Sequence, residues 1–306
     1  MKILVTGGAG FIGSHVVDAY VAQGHEVLVV DDLSTGRKEN VNPRAKLYAL
    51  DIRDAKLEEV FAAEKPDVVN HHAAKASVRE SMVKPILYAD VNVLGSLNLL
   101  ELSRKYQVKK FIYISTGGAV YGDPEYLPAD EAHRIRPLDP YGASKACFEH
   151  YLPQYQKNHG LSFTVLRYAN VYGPRQDPVG EAGVVAIFSG QMLRGDQAMI
   201  NGSGEQERDF VYVGDAATAN LLALQKGDGG IYNIGTGVGT SINELFTRMK
   251  EITHYKRSAV HGPPKAGEVF KTYLNADRAR RELGWKPIVG LEEGLRLTVD
   301  YFRPKA

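Results

Sequence analysis

The stretch Thr6-Gly7-Gly8-Ala9-Gly10-Phe11-Ile12-Gly13-Ser14 decides the fold of this chain. It follows an apolar run of residues 2–5, typical of a buried parallel strand, and leads into an amphipathic stretch that Gly24 ends. Its glycines 7, 10 and 13 are three residues apart. The first allows a tight turn, the second lets a pyrophosphate approach the backbone, and the third lets the helix pack on the strand. The order of strand, glycines and helix predicts a dinucleotide site at the helix N-terminus, rather than an ordinary turn.

The second predicted strand, residues 26–30, runs into an acidic residue. Asp31 lies about 20 residues beyond the glycines, where a carboxylate bonds the adenosine ribose hydroxyls. A carboxylate at this position repels a 2′-phosphate. The sequence therefore favours NAD over NADP as the cofactor.

The sequence Tyr141-Gly142-Ala143-Ser144-Lys145 predicts a redox base. Residues i and i+4 share one face of a helix, so the ammonium can lie beside the phenol. A free phenol titrates near pH ~10, and a neighbouring cation lowers its pKa. The phenolate formed in this way takes a proton from a sugar or alcohol hydroxyl while hydride leaves the carbon. A solvated helix face is the alternative for this motif alone, and the glycine-rich N-terminus favours the chemistry.

The composition of the chain argues against several classes of protein. The chain has 306 residues, 44% of them hydrophobic, and a formal net charge of +1, which argues against nonspecific nucleic-acid binding. No apolar run approaches the ~20 residues needed to span a bilayer, so no membrane segment is expected. Cys147 is the single cysteine and fits a reducing compartment, so we expect a cytoplasmic protein. No pair of histidines has ligand spacing with nearby acids or cysteines, and no metal is expected.

Strand and helix patterns alternate through the first half of the chain. Strands are predicted at residues 47–51, 68–72, 111–115 and 163–167, and helices at 55–63, 90–106 and 141–158. This alternation is typical of an α/β fold with a doubly wound parallel Rossmann sheet. Because the pattern loosens after Pro174, we predict an NAD-binding Rossmann domain over residues 1–174, with returns at about 209–239. Residues 175–208 and 240–306 are predicted to form a smaller α/β substrate-binding lobe.

Several motifs together resemble those of a known family. They are TGGAGFIGS at residues 6–14, HHAAKASV at 71–78, STGGAVYG at 115–122, YGASK at 141–145, LRYANVYGPRQ at 166–176 and NGSGEQERDFVYV at 201–213. The chain resembles the extended short-chain dehydrogenase/reductase family and, within it, the UDP-glucose (UDP-galactose) 4-epimerases. The resemblance covers essentially the whole chain and implies an isomerase of galactose metabolism that holds NAD tightly and acts on a UDP-sugar. It also implies a homodimer formed through the helices at 90–106 and 141–158.

The resemblance assigns roles residue by residue. It implies Tyr141 as the catalytic acid/base, Lys145 as the residue that tunes it, and Thr116 as an assisting hydroxyl. The residues implied to bind the cofactor are Gly7, Gly10, Phe11, Ile12, Gly13, Asp31, Asp32, Ser34, Asp51, Ile52, Ala73, Ala74, Asn92, Tyr141, Lys145 and Tyr168. Those implied to bind the substrate are Ser115, Thr116, Asn170, Val184, Val185, Arg208, Lys265 and Glu268. For Arg208 a surface ion pair is the alternative, for Asn170 a turn, for Asn92 helix packing, and for the valines a place in the core.

The sequence departs from the family pattern at two places. The assisting hydroxyl used in several epimerases falls on Gly117 here, so Thr116 is expected to supply it, with Ser115 as the next candidate. In the second lobe, Lys265-Ala266-Gly267-Glu268 stands where the family often has an arginine before Gly-Asp. A lysine keeps the positive charge for a phosphate but loses the bidentate geometry.

The resemblance implies that the 4-hydroxyl of the sugar is oxidised transiently and that hydride returns to the opposite face. Other nucleotide-sugar epimerases, a 4,6-dehydratase or a UDP-glucuronate decarboxylase of the same family are alternatives, and the last two usually have acids where this chain has Gly117 and Gly118. A noncatalytic NAD-binding regulator is an alternative of another class. Whether N-acetylated UDP-sugars are accepted stays open.

Overall fold

The buried apolar runs of the first half form parallel strands of one sheet. The structure is a computed structural model and describes residues 1–178, 183–264 and 269–303. Its strands are β1 Lys2–Thr6, β2 Glu26–Asp31, β3 Lys46–Ala49, β4 Val68–His71, β5 Lys110–Thr116, β6 Ser162–Tyr168, β7 Asn170–Tyr172, β8 Met199–Asn201, β9 Glu207–Arg208, β10 Phe210–Tyr212, β11 Gly230–Ile234, β12 Thr240–Ser241, β13 Val260–Gly262 and β14 Lys271–Thr272. Seven of these strands pair in parallel in the order β3-β2-β1-β4-β5-β6-β11. The order reverses direction at β1 and β4, which confirms the doubly wound α/β fold.

Helices cover both faces of this sheet. They are α1 Phe11–Ala22, α2 Leu57–Glu64, α3 Val78–Val83, α4 Pro85–Ala89, α5 Ser96–Lys105, α6 Gly117–Val120, α7 Pro140–Glu149, α8 Leu152–His159, α9 Val184–Arg194, α10 Val213–Ala223, α11 Ile242–Thr253 and α12 Leu291–Phe302. Apolar residues of α1 and α10 pack with β1, β2 and β11 on one face. Those of α2, α5, α7 and α8 pack with β4, β5 and β6 on the other. Burial on both faces explains why the strands are continuously apolar rather than alternating.

Two helices predicted from the sequence are divided in the structure. The helix predicted at 90–106 begins with a π-helical turn, Asp90–Gly95, before α5. The helix predicted at 141–158 ends at Glu149, and α8 starts at Leu152 with Pro153 in its first turn. Proline lacks the N–H that a helix interior needs, so it begins a new helix here.

A second apolar cluster lies in the C-terminal half. Helices α9, α11 and α12 contribute Phe188, Met249 and Leu295 to it, and Tyr172 of β7 joins them. The short strands β9, β12 and β14 form a three-stranded sheet beside this cluster, and β8 pairs with β13. These elements are too short to fold without the cluster that they cover.

The carboxyl ends of the parallel strands meet at one edge of the large sheet. Strand β1 ends at Thr6, β2 at Asp31, β4 at His71 and β5 at Thr116. The glycine-rich turn follows Thr6, and α7 runs past the end of β5, so every motif of the sequence analysis from the first domain reaches this edge.

Candidate active site

The turn between β1 and α1 needs glycine at its first and third glycine positions. Gly7 has φ +68°, and a Cβ there would lie 2.8 Å from the backbone nitrogen of Ala73. A Cβ at Gly13 would lie 2.2 Å from the carbonyl oxygen of Gly7. At Gly10 a Cβ would lie 3.2 Å from the Gly7 carbonyl oxygen, a tighter contact than side chains usually make, and would meet no other atom of the described chain within 4 Å. Residues 7–13 therefore form a turn, called the glycine cradle below, whose backbone a ligand can approach at Gly10.

Helix α1 presents its N-terminus to this cradle. Gly10 is the N-cap and has no side chain to bond the first-turn N–H groups of Phe11, Ile12 and Gly13. Such unsatisfied N–H groups, together with the helix dipole, favour a phosphate. The residues present fit the pyrophosphate of a dinucleotide.

Asp31 closes the cradle at the end of β2. Its carboxylate is 6% exposed and accepts hydrogen bonds from the N–H of Ala9 (3.0 Å) and of Leu33 (2.9 Å). Burial raises the pKa of Asp31, and these two hydrogen bonds oppose the rise. Asp32 next to it is exposed and accepts from the N–H and the hydroxyl of Ser34. Each Asp31 oxygen keeps a lone pair for a ribose hydroxyl.

The loop after β3 contains Asp51 and Ile52. Ile52 is buried in the core, and its side chain would meet a Cβ at Gly95, 2.8 Å away. The Asp51 carboxylate is bonded by Arg53, whose guanidinium holds its pKa below the usual range. Both residues lie beyond β3, on the far side of Asp31 from the glycines. Of the two, Asp51 is the residue with a polar group near the surface.

The loop after β4 is held from behind by Asn92. Asn92 is 1% exposed; its Oδ1 accepts from the N–H of Lys75, and its Nδ2 donates to the Lys75 carbonyl and to the Ser144 hydroxyl. The N–H of Ala73 donates to Thr6 Oγ1 at 3.2 Å. Both polar atoms of the Asn92 side chain therefore bond to the protein, as the helix-packing alternative predicts. Through Lys75 they fix the backbone of the loop that contains Ala73 and Ala74. The π-helical turn supplies the local geometry that turns Asn92 inward.

Tyr141, Lys145 and Thr116 meet beyond the end of β5. The Asp139 carboxylate caps α7, and Tyr141 lies in the first turn of that helix, half-buried, with its ring edge-on to Tyr88. The hydroxyl of Thr116 lies close enough to the Tyr141 phenol to lower its pKa against the effect of burial. Lys145 is 4% exposed and its Nζ donates to the carbonyl oxygen of Ile114 at 2.8 Å.

The electrostatics of this pair differ from the expectation. Burial raises the pKa of Tyr141 well above its usual range, and the hydrogen bond with Thr116 opposes the rise. Burial also lowers the pKa of Lys145 to about 7, against the opposing charge of Glu149. The predicted lowering of the Tyr141 pKa by Lys145 is wrong in this structure, because the ammonium is turned toward Ile114 and is itself destabilised by burial.

Ser115 is placed away from the crevice. It is 3% exposed, and its hydroxyl donates to Glu149 Oε1 at 2.5 Å. Strand residues alternate in direction, so Thr116 faces Tyr141 when Ser115 faces the core. The prediction that Ser115 contacts the substrate is therefore corrected, and Thr116 is the hydroxyl at the site.

The two glycines after Thr116 have different surroundings. A Cβ at Gly117 would lie 2.4 Å from Leu274 Cδ1, whereas a Cβ at Gly118 would be in ordinary contact with Thr116 Oγ1 (3.7 Å) and Asn170 Oδ1 (3.9 Å). A hydroxyl at position 117 would need Leu274 to move. The packing of Leu274 thus accounts for the departure from the family pattern at this position.

Tyr168 does not reach the crevice. Its ring is 3% exposed within the core on the α1 side of the sheet, and Asn220 donates to its hydroxyl. The prediction that Tyr168 packs on the cofactor is corrected, because a buried tyrosine hydroxyl needs a partner and finds it on α10.

The other residues predicted to hold the substrate are spread over the chain from Asn170 onward. Asn170 is exposed at the start of β7, near Thr116. Arg208 is half-buried, and its Nη1 donates to the carbonyl oxygens of Glu207 (2.8 Å) and Phe270 (3.2 Å). Val185 is 1% exposed in the core of this lobe and Val184 packs against the same core, so the ligand contact predicted for Val185 is corrected to packing. Lys265 and Glu268 lie outside the described residues.

Sequence reasoning missed Glu149, Arg167 and Leu274. Glu149 and Arg167 form a buried ion pair at 2.5 Å directly behind Lys145 and Ser115. A signal for Glu149 was present, because it falls four residues after Lys145 on the helix face of Tyr141. Leu274 is far from the motif in sequence and carries no such signal.

In residues 1–178, 183–264 and 269–303, histidine, cysteine and acidic side chains form no group of three that could hold a metal ion. Within the same residues, no helix has the length and apolarity needed to cross a bilayer.

Known proteins resemble the chain over its full length. A UDP-glucose 4-epimerase of Mycolicibacterium smegmatis is 43% identical over 312 residues, which cover 100% of both chains. The crystal structure of UDP-glucose 4-epimerase from Thermotoga maritima with UDP-glucose is 54% identical, with a TM-score of 0.97 and coverage of 99% of this chain and 98% of the other. The Thermus thermophilus UDP-glucose 4-epimerase in complex with NAD is 47% identical, with a TM-score of 0.95 and 99% of each chain covered.

The match to a family extends over residues 3–235, which include the glycine cradle, Thr116, Tyr141, Lys145 and Arg208. This chain belongs to the NAD dependent epimerase/dehydratase family.

Proposed function

We propose that the protein is a UDP-glucose 4-epimerase that interconverts UDP-glucose and UDP-galactose with NAD as its cofactor, in galactose metabolism. The observation that carries the proposal is that Tyr141 lies next to Thr116 and Lys145 is bonded to Ile114, both at the end of β5, while the glycine-rich turn follows β1 at the same edge of the sheet. The full-length similarity to UDP-glucose 4-epimerases supports the choice of substrate.

The cradle and Asp31 are the residues that would hold NAD. The N–H groups at the start of α1 suit the pyrophosphate, and the Asp31 carboxylate suits the ribose hydroxyls while repelling a 2′-phosphate. When bound there, NAD supplies a reversible acceptor for the hydride of sugar carbon 4 and, in its oxidised form, a positive charge.

Tyr141 acts as the acid and base on the 4-hydroxyl of the sugar. It removes the hydroxyl proton when the 4-keto sugar forms and returns it after the ring has turned, so no net oxidation occurs. The Thr116 hydroxyl orients the phenol and the reacting oxygen, and its hydrogen bond opposes the effect of burial on the Tyr141 pKa. Lys145 is bonded to the Ile114 carbonyl rather than to the phenol in this structure, and its proposed role is to bind the cofactor.

Residues 1–174 with returns at about 209–239 form the cofactor-binding domain in this proposal, and residues 175–208 and 240–306 form the lobe that anchors the UDP group. Arg208 provides a guanidinium for the diphosphate and Asn170 an amide close to Thr116. Anchoring the remote nucleotide leaves the sugar ring free to present either face.

Dehydration and decarboxylation are not favoured by the Thr116 loop. Those reactions need an acid and a base beyond the tyrosine, and Gly117 and Gly118 offer none. An acidic side chain at 117 would also meet Leu274. An intact Thr116, Tyr141 and Lys145 set argues against a noncatalytic regulator.

Conversion of UDP-galactose tests the function. We expect the purified protein, supplied with NAD, to produce UDP-glucose, detected by a coupled UDP-glucose dehydrogenase. Tyr141→Phe is expected to lose about 10²- to 10⁴-fold in kcat. Tyr155→Phe, which alters a tyrosine on α8 bonded to Glu101, is the matched control and should turn over normally. Full activity of Tyr141→Phe, or conversion of UDP-N-acetylglucosamine alone, would contradict the proposal.

We also propose that the protein is a cytoplasmic homodimer that pairs through the helices predicted at 90–106 and 141–158, which correspond to the π-helical turn with α5 and to α7 with α8. Leu94 in the π-helical turn is 59% exposed, and Met82 and Val83 of α3 and Ile86 of α4, which precede that turn in the chain, are 62%, 79% and 83% exposed. Large exposed apolar side chains of this kind suit an interface. The free thiol of Cys147, exposed on α7, supports a reducing compartment.

A further inference from the structure

Helix α7 is bonded to β5 at a third position that the proposed reaction does not use. Glu149 shares one face of α7 with Tyr141 and Lys145, since the three are four residues apart. Tyr141 meets Thr116, Lys145 donates to the Ile114 carbonyl, and Glu149 accepts from the Ser115 hydroxyl. Three consecutive residues at the end of β5 are thus each held by one residue of this helix face.

The Glu149 carboxylate is fixed on its other side by Arg167 of β6. Arg167 Nε donates to Glu149 Oε1 at 3.1 Å and Nη2 to Oε2 at 2.5 Å, and the two residues are 4% and 5% exposed. Arg167 Nη1 donates to the Tyr121 hydroxyl at 2.9 Å, which in turn donates to Asn233 Oδ1 at 2.7 Å. A bidentate ion pair that also bonds to further buried polar groups is held in a single geometry.

We propose that Glu149, clamped by Arg167, is a positioning residue of the active site. By fixing Ser115, it holds Thr116 and the Ile114 carbonyl in register with Tyr141 and Lys145. The catalytic consequence rests on the proposed function, whereas the arrangement of contacts stands without it.

The charge of Glu149 gives it a second effect on the site. Burial lowers the pKa of Lys145, and Glu149 is the group that opposes this. The groups that act on Lys145 or lie beside it are Glu149 on its own helix, Tyr113 of β5, and His71 and His72 at the end of β4, with Arg167 behind Glu149. Of these, Glu149 is the carboxylate. Removing its charge leaves Lys145 and Arg167 as two cations in one buried region, which disfavours the ammonium.

Glu149→Gln tests the proposal because it keeps the shape and loses the charge. Titration of ε-¹³C-labelled lysine by NMR, with the Lys145 signal assigned from Lys145→Arg, measures the midpoint directly and without turnover. We expect the Lys145 midpoint to fall by about one pH unit, with a matching shift of the alkaline limb of the kcat–pH profile and about tenfold lower kcat above the midpoint.

Ser115→Ala separates positioning from charge. It removes the hydroxyl but keeps the ion pair, so the Lys145 midpoint should stay while kcat falls about 10- to 100-fold at every pH, because Thr116 is released from its register. Asp215→Asn is the control: Asp215 is a buried carboxylate that binds the N–H groups of Ile288 and Val289, away from the site. It should lower the melting temperature and leave both profiles unchanged.

The outcomes decide between a positioning and a merely structural role. The proposal is overturned if Glu149→Gln behaves like Asp215→Asn, with lower stability and an unmoved Lys145 midpoint, or if Ser115→Ala keeps wild-type kcat. Should Glu149→Gln not fold, Glu149→Gln/Arg167→Met, which removes the charge of Arg167 together with that of its partner, takes its place. A wild-type protein that converts no UDP-sugar would sink the proposed function alone, since the NMR midpoint still tests Glu149.

Discussion

At the scale of single residues, two adjacent glycines of the Thr116 loop differ in the space around them. Gly117 faces the buried side chain of Leu274, and Gly118 faces open space bordered by Thr116 and Asn170. This contrast allows the loop to be tested with the smallest possible change, the addition of one methyl group.

We predict that Gly117→Ala lowers the free energy of unfolding by about 1–3 kcal/mol, because its Cβ would lie 2.4 Å from Leu274 Cδ1 and the core must shift. Gly118→Ala is the matched control, and its added Cβ meets nothing closer than 3.7 Å. Urea denaturation of both variants measures the difference. Equal stability of the two would mean that Leu274 is not the wall behind position 117.

The pKa values of Tyr141 and Lys145 also belong to this scale. The sequence places the two side chains on one helix face, but it cannot show how deeply they are buried. Burial acts on both groups in the direction that opposes ionisation. The sequence therefore predicts that the two residues share a helix face, but it predicts the wrong direction for the Tyr141 pKa.

At the scale of elements, the turn into α1 separates ligand binding from packing. We predict that Gly13→Ala lowers stability by about 1–3 kcal/mol, because its Cβ would lie 2.2 Å from the Gly7 carbonyl oxygen. Gly10→Ala should lower stability less than Gly13→Ala, because its closest contact would be 3.2 Å from the Gly7 carbonyl oxygen, and should lose at least about tenfold in NAD affinity by blocking the approach of the pyrophosphate.

Melting temperature and NAD binding by calorimetry measure these two effects separately. Gly290→Ala is the control, since Gly290 is the N-cap of α12 and has open space around it. It should leave both quantities at the wild-type level. Wild-type NAD affinity in Gly10→Ala would argue against the cradle as the pyrophosphate site.

The end of strand β4 makes the fold sensitive to acid. Burial lowers the pKa of His71 well below its usual range and that of His72 to about 3, and His72 Nε2 has no hydrogen-bond partner among the described residues. Between pH 6.5 and these folded values the unfolded chain binds more protons, so stability is lost as the pH falls through that window.

We predict that acidification to pH 5.5 removes about 1.4 kcal/mol of unfolding free energy for each of these histidines. His72→Phe removes one titrating group, so its loss between pH 7.5 and 5.5 should be smaller than that of the wild type by about this amount. Urea titrations at the two pH values provide the comparison. Parallel losses in both proteins would show that His72 does not set the acid limit.

At the scale of the whole molecule, the exposed apolar side chains around α4 point to self-association. We predict that the protein elutes at twice its chain mass of 33.6 kDa and that Ile86→Glu/Leu94→Glu elutes as a monomer. Ile288→Glu is the matched control, because Ile288 is 71% exposed on another part of the surface. Light scattering on a size-exclusion column gives the masses. A monomeric wild type would exclude this interface.

Much of the fold could be predicted because its signals are local. The glycines, Asp31 and the apolar runs fix β1, α1 and β2, and the alternation that follows fixes the parallel sheet. Helices α3 and α4 were not predicted, since they are short and half exposed and show no clear period. The sequence does not predict the break between α7 and α8, because the helical pattern of apolar residues continues through Pro153.

The site was predictable as far as it depends on spacing within one element. The motifs predict three residues of the site, namely Thr116, Tyr141 and Lys145. The burial of Ser115, Tyr168 and Val185 instead depends on contacts with other elements of the fold. The Ser115 hydroxyl donates a hydrogen bond to Glu149, 34 residues away in sequence, and Asn220 donates one to the Tyr168 hydroxyl, 52 residues away. A single sequence does not contain these pairings.

Asp209 accepts hydrogen bonds from the N–H groups of Thr236, Gly237 and Leu274, and Leu274 in turn lies behind Gly117. A residue from the C-terminal third of the chain therefore packs behind the Thr116 loop, which belongs to the N-terminal half. A chimera that takes its sugar-recognition region from a relative would have to inherit residues 117, 209 and 274 as one block. Recombination points between them would yield proteins that fold but carry a displaced Thr116.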